Sequence, residues 1–320
     1  MIEMNFKCRH CSSDLNHEII DLGHQPPSNA YLTKNDLSKP ETTYPLKVFL
    51  CEKCWLVQIP THINSKGLFT KDYAYFSSTS SSWCRHAEKF VLSSIKKLGL
   101  NKKSLVLEIA SNDGYLLQYV KQHQIPCIGI EPTSATANVA KSKGIKTIEE
   151  FFSLKLAEQL IQKESFKQKV DLLIANNVIA HVPDINDFFR AILKVLKPNG
   201  CASIEFPHLL NLIKFNQFDT IYHEHYSYLS LGTVKKITES VGMIVNDVEK
   251  IQTHGGSLRV WITPKRDSNV TNKVEEVLAE EISYGLESIS LYKDFQNKAQ
   301  NVKNELLNFL LTKQKEKKKV

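Results

Sequence analysis

The stretch YHEHYSYLS, residues 222 to 230, gathers Tyr222, His223, Glu224, His225, Tyr226 and Tyr228 with no aliphatic side chain before Leu229. Imidazole, carboxylate and phenol are the groups an enzyme uses to move protons near neutral pH. A surface loop can hold the same groups without chemistry, so their meaning depends on their surroundings. A second reactive set lies near the N-terminus, where FKCRHCSSDL and VFLCEKCWLVQIP place Cys8, Cys11, Cys51 and Cys54 in two C-x-x-C pairs. Thiolates spaced this way grip one ion from a tight knuckle, and two knuckles complete a tetrahedral zinc site with no open position. Such a site is structural. Its spacer, residues 12 to 50, exceeds the roughly 15–20 residues of a usual zinc ribbon and must fold as an elaborated insert. His10 and His24 are available as substitute ligands with poorer spacing.

These groups need a scaffold, and the middle of the chain supplies its pattern. Short apolar runs SLVLEI, PCIGIE, GIKTI, VDLLIAN and CASIEF alternate with stretches long enough for crossover helices. That alternation predicts a doubly wound parallel α/β sheet. GMIVNDVEKIQ and SLRVWITP read as two further strands, the last returning antiparallel at the edge. Before them, SSTSSSWCRHAEKFVLSSIKKLGL has a Ser-rich start that can cap a helix, followed by Phe90, Val91, Ile95 and Leu98 on one face. After them, 272–311 reads as mainly helical, with Val274, Val277, Leu278 and Ile282 as one stripe for a domain or subunit contact.

In doubly wound sheets ligands bind beyond the carboxyl ends of the strands at the switch point. Here the first turn is VLEIASNDGYLLQYV, in which Asp113 and Gly114 make a tight turn while Ser111 and Asn112 offer polar groups. The next strand ends at Glu131, where a carboxylate can accept both hydroxyls of a ribose. A nicotinamide dinucleotide enzyme wants G-x-G-x-x-G, but this turn has one glycine, with Ala110 and Asn112 where more are needed. A cofactor with a ribose and no pyrophosphate fits better, and S-adenosylmethionine is one. The fourth strand ends in IANNVIAHVPDINDF, which brings Asn176, Asn177 and His181 to the same crevice, His181 either as a ligand contact or in a local structural hydrogen bond, with Pro183 and Asp184 starting a helix. Glu205 and His208 are expected nearby. In THGGSLRV, His254 and Arg259 either touch phosphate or carbonyl, or belong to a turn with Arg259 on the solvent face.

Composition bounds the rest. With 320 residues, 42% hydrophobic and 23% charged, the chain has the profile of a soluble globular protein of two or three units. Much of the +7 formal charge lies in the terminal KQKEKKKV, and basic residues interleaved with aromatics are missing elsewhere, which argues against nucleic acid. No run of eighteen apolar residues is present, and the N-terminus lacks a signal-peptide core; a cytoplasmic location without a membrane partner is expected. Cys84, Cys127 and Cys201 read as solitary buried thiols.

Taken together, CRHC, LGHQPPSNAYL, CEKCWLVQ, DYAYFSS, LEIASNDGYLL, GIEPT, NNVIAHVPD, IYHEHYSYLS and THGGSLRV, in this order, resemble the zinc-containing C-methyltransferases of nucleotide-linked keto-deoxysugars. The resemblance implies an N-terminal zinc domain and a class I methyltransferase domain. It also implies methylation of a carbon beside a sugar carbonyl, usually C3 of a 4-keto sugar on thymidine diphosphate. Family members continue into another α/β unit, so either a truncated chain or a short member is expected. The organisation it implies is 1–78 zinc-binding, 79–265 cofactor-binding, and 266–320 the helical start of a substrate domain. The cofactor set it points to is Glu108, Ala110, Asn112, Asp113, Gly114, Glu131, Pro132, Asn176, Asn177 and His181.

Such methylation needs a base for the α-proton, stabilisation of the enolate oxygen, and alignment with the methyl donor. By the resemblance the catalytic cluster maps onto YHEH, with His225 the first candidate base and His223 its rival. Glu224 can orient the imidazole or bind a sugar hydroxyl, and Tyr222 can donate to the enolate oxygen. Tyr75 is a further substrate-side candidate, with Tyr73 its rival. In an extended strand His223 and His225 point one way and Tyr222 and Glu224 the other, so these roles require a turn. A nicotinamide-dependent sugar oxidoreductase and a zinc-ribbon nucleic-acid binder stand as alternatives. The residues leave sugar, stereochemistry and self-association open.

Overall fold

The computed structural model describes residues 6–63, 75–167, 169–265 and 269–319. Strands β1 (His17–Gln25), β2 (Tyr44–Leu50) and β3 (Val57–Gln58) come first, and β4 (Val106–Ile109), β5 (Cys127–Ile130), β6 (Lys146–Ile148), β7 (Val170–Asn176) and β8 (Leu196–Pro207) follow. Then come β9 (Ser227–Tyr228), β10 (Met243–Ile251) and β11 (Ser257–Pro264). The helices are α1 (Ser81–Leu98), α2 (Leu117–Gln122), α3 (Ser134–Ser142), α4 (Leu154–Ile161), α5 (Ile185–Val195), α6 (Leu209–Lys214) and α7 (Leu231–Ser240). The last three are α8 (Asn272–Tyr284), α9 (Ile289–Tyr292) and α10 (Phe295–Lys315).

The larger sheet has the order β10-β11-β8-β7-β4-β5-β6. Its central strands are parallel and buried on both faces, which is why they read as continuous apolar runs rather than alternating ones. Helices begin where the sequence supplies an acceptor: Ser80, Ser153, Asp184 and Ser230 each cap the next helix through the side-chain oxygen. Helix α5 then buries Ile185, Phe188, Phe189, Ile192 and Val195 at helical spacing. At about 1.5–3 kcal/mol per large apolar side chain, this face rather than helix propensity holds it in place.

Two expectations about elements change. Strand β11 is not at the edge; it pairs antiparallel with β8 on one side and with β10 on the other, and β10 is the edge. Burial explains the exchange, since Ser257 to Ile262 is buried without interruption whereas β10 alternates over Met243 to Asn246. On α8, Val274 and Val277 are buried and Leu278 packs against the core, but Ile282 is 63% exposed and the polar Glu281 occupies the inner face. The thiols differ too: Cys201 is buried, while Cys84 and Cys127 are only half-buried.

The smaller sheet is antiparallel, in the order β1-β2-β3-β9. Strands β1 and β2 are the insert between the cysteine pairs. The fourth strand, β9, is contributed by the SY of YHEHYSYLS, so the N-terminal sheet and the proton-handling stretch are one structural unit.

Candidate active site

The four cysteines converge. Sγ of Cys8 lies 3.5 Å from that of Cys54, Cys11 lies 3.4 Å from Cys51, and all four sulfurs are within 4.8 Å of one another. A tetrahedron with Zn–S near 2.3 Å has edges of about 3.8 Å, so the cage fits zinc and leaves no fifth donor or open corner. The alternative ligands are elsewhere: His10 bonds Asn186, and His24 is exposed on β1.

A crevice of about 690 Å³ opens at the carboxyl ends of the central strands. Ala110, Asn112, Glu131 and Pro132 line it from β4 and β5, and Asn176, Asn177 and His181 from β7. Tyr75 stands at its mouth, half exposed; Tyr73 lies outside the described residues. Three expected members do not line it. Glu108 is buried beneath the floor, and burial, followed by the charges of Glu131 and Asp113, raises its pKa well above the carboxylate range. Asp113 turns inward, accepting from the Ser78 amide at 3.3 Å and facing Lys143 at 3.6 Å. Gly114, at φ 77°, takes the left-handed backbone that glycine adopts without strain, and a Cβ there would come within 2.4 Å of the tip of Ile145, at Cδ1.

The turn after β4 has the backbone of a glycine loop without its glycines. Ala110, Asn112 and Gly114 all have left-handed φ, of 52°, 50° and 77°. The side chain of Asn112 holds the turn, its Oδ1 accepting from the Ser77 amide at 2.9 Å and its Nδ2 donating to the Tyr75 carbonyl at 3.0 Å. Glu131 Oε2 accepts from the Asn112 amide at 2.9 Å, and Oε1 accepts from the Thr133 amide and hydroxyl. A carboxylate has about four acceptor sites, so one direction of Glu131 is still open to the crevice. Both amide atoms of Asn177 are buried without a partner among the described residues, a need that a polar ligand meets. These features fit S-adenosylmethionine, whose ribose and amino-acid ends are polar.

The YHEH residues are parted by a turn in which the His225 amide donates to the Tyr222 carbonyl at 3.0 Å. Tyr222 and His225 therefore meet, and His223 leaves them. His225 Nδ1 donates to the Thr220 carbonyl at 2.9 Å, which makes Nε2 the acceptor of the Tyr222 hydroxyl at 2.8 Å. Burial, then the neighbouring His181, pushes the His225 pKa well below the usual imidazole value. The His181 ring, 4.7 Å from that of His225, donates through Nδ1 to the Glu224 carbonyl at 2.9 Å, and burial pushes its pKa down to about 4. His181 thus joins the crevice to the pair behind it. The Glu224 carboxylate accepts from Ser28 Oγ at 3.0 Å and Asn29 Nδ2 at 2.6 Å, both from the QPPSNAYL segment. His223 lies near the Tyr44 and Pro45 carbonyls, 3.3 Å from each, and with Tyr222 lines a second cavity of about 710 Å³ beside α10.

Three other expected crevice residues are accounted for differently. Arg259 touches no open space: it is buried on Glu205 at 2.7 Å, with its guanidinium carbon 4.3 Å from the Phe90 ring centroid. Burial alone would raise the Glu205 pKa, but His86 and Arg259 hold it below the ordinary value. His208 is away from the crevice, bonded to Glu281 at 2.7 Å. His254 does line the crevice, with Trp83 and Tyr115, which sequence reading passed over. Tyr115 directly follows the turn after β4, and Trp83 sits in the first turn of α1; those positions were the available signals.

Residues 8–69 match the family described as "Putative zinc binding domain", 83–245 a "Methyltransferase domain", and 252–320 a "C-methyltransferase C-terminal domain". The chain is 33% identical over 301 residues to the C-methyltransferase NovU of Streptomyces niveus, covering 94% of this chain and 71% of that protein. Among solved structures, the PH0226 protein of Pyrococcus horikoshii is 16% identical at TM-score 0.47, over 60% of this chain and 95% of that one. The magnesium protoporphyrin IX methyltransferase of Synechocystis with bound SAH is 14% identical at TM-score 0.45, over 57% of this chain and 83% of that one. The nicotinamide alternative gives way, and the chain belongs to the family of zinc-binding, S-adenosylmethionine-dependent C-methyltransferases.

Proposed function

We propose that this enzyme methylates the carbon beside the ketone, C3, of a 4-keto-deoxysugar carried on a nucleotide, through an enolate. The observation that carries the reading is the His225 imidazole, held neutral by burial behind the crevice residue His181, with Nδ1 spent on Thr220 and Nε2 accepting from Tyr222, which borders the second cavity. A neutral imidazole with one committed nitrogen is a base of defined direction. When the sugar enters, the Tyr222 hydroxyl turns from Nε2 to the substrate carbonyl oxygen. His225 then removes the α-proton, and the C–H electron pair becomes the enolate, whose oxygen Tyr222 stabilises. S-adenosylmethionine supplies the electrophilic methyl. Glu224, fixed by Ser28 and Asn29, orients the loop, while Glu131, Asn176 and Asn177 hold the cofactor. On this reading residues 1–78 bind zinc, 79–265 bind the methyl donor, and 266–320 begin the substrate domain.

The test is transfer of labelled methyl from S-adenosylmethionine to a panel of nucleotide-linked sugars with and without the 4-keto group. Label is expected on the keto sugars alone, and keto sugar recovered unmethylated should carry solvent deuterium at the α-position. Transfer to oxygen or nitrogen acceptors instead would sink the reading.

A further inference from the structure

The two residues enclosed by the first cysteine pair are both spent on the wall of the cofactor crevice. Arg9 donates to the Pro183 carbonyl through one terminal nitrogen at 2.7 Å and to the Ile59 carbonyl through the other at 2.6 Å, with its guanidinium over the Tyr226 ring. His10 Nδ1 donates to Asn186 Oδ1 at 2.8 Å, and the His10 carbonyl accepts from Asn186 Nδ2 at 2.8 Å. The knuckle is fastened in turn to β3: the Arg9 amide donates to Gln58 Oε1 at 2.9 Å, and Gln58 Nε2 reaches Cys8 Sγ at 3.2 Å. Pro183 and Asn186 bracket the turn into α5, where His181, Pro183, Asp184 and Asp187 form one side of the crevice.

A hydrogen bond positions a loop only as well as its own anchor is fixed. Here the anchor is a four-residue knuckle, Cys8 to Cys11, whose backbone is constrained by its ligands. We propose that the metal cluster sets the shape of the cofactor crevice through Arg9 and His10. Arg9, His10 and Asn186 are then positioning residues for methyl-donor binding, and zinc acts on the site without taking part in the chemistry. The proposal rests on the assignment of the crevice to the cofactor.

The test uses the full chain and calorimetric binding of S-adenosylhomocysteine. Stripping the metal, with its loss confirmed by metal analysis, should weaken binding about tenfold, and returning zinc should restore it. Asn186→Ala leaves the thiolates untouched, so it should keep its zinc, lose about tenfold in affinity, and respond much less to stripping than the parent does. Arg9→Ala should behave alike. Zinc-replete Asn186→Ala and Arg9→Ala that bind like the parent would overturn the proposal; so would stripping that weakens parent and Asn186→Ala by the same factor. If the stripped protein unfolds, the zinc-replete variants decide alone. Glu131→Ala separates the two levels: unchanged binding there removes the crevice assignment itself, whereas lost binding there with parental Asn186→Ala removes only the coupling.

Discussion

His225 and His223 are two positions apart and have different surroundings. One ring is fixed at both nitrogens against Thr220 and Tyr222, while the other lies beside carbonyls at the second cavity. Under the proposed mechanism, His225→Asn should leave cofactor binding intact and lower methyl transfer by about two to four orders of magnitude. Exchange of the substrate α-proton with deuterated water should fall in parallel. Parental exchange in His225→Asn, together with lost exchange in His223→Asn, would move the base to His223. Residue types marked this cluster in the sequence, but which members meet depends on one backbone turn at Tyr222–His225 that no spacing rule specifies. Arg259 fits neither of its two readings, ligand contact or solvent-face residue, for a related reason: only the fold shows Glu205 opposite it on the neighbouring strand.

Elements were more legible than side-chain partners. The five strand runs from SLVLEI to CASIEF became β4 to β8 because uninterrupted apolar segments suit a sheet covered on both faces. The cysteine spacing likewise announced the zinc cage before any geometry was known. The place of α8 was harder, because a carboxylate lies on its buried face. Glu281 accepts from His208 at 2.7 Å and from the Leu231 and Gly232 amides at 2.6 Å and 2.9 Å, capping α7 from another helix. Removing it strands buried donors. Glu281→Ala should therefore destabilise the protein by about 3–5 kcal/mol, read as a lower denaturant midpoint at constant slope. Glu281→Gln keeps an acceptor and should cost less, and adding His208→Ala to Glu281→Ala should cost less than the sum of the two.

For the molecule as a whole, the buried imidazoles tie stability to pH. The folded pKa of His181, about 4, lies below the value of about 6.5 in an unfolded chain, so on acidification the unfolded state takes up the proton first. Its contribution is complete above about pH 6.5 and is lost as the pH falls from there towards 4, with His225 adding in the same direction. Denaturant unfolding at a series of pH values should show that decline, and His181→Asn should flatten it; an unchanged slope would contradict the burial of a neutral ring. Among the described residues no helix is long and apolar enough to cross a membrane.

The pairing of β3 with β9 also bears on how the chain is made. Val57 meets Tyr228 and Gln58 meets Ser227, so the N-terminal sheet lacks its last strand until the ribosome has added roughly 170 more residues, on the order of 10–30 s at usual elongation rates. Throughout that interval the β3 edge offers unpaired backbone to other nascent chains. The cysteine cage, by contrast, needs nothing beyond Cys54. Early metal capture can thus hold the half-built sheet in register on the polysome, and cells short of zinc should lose this protein to aggregation during synthesis before they lose it to inactivity.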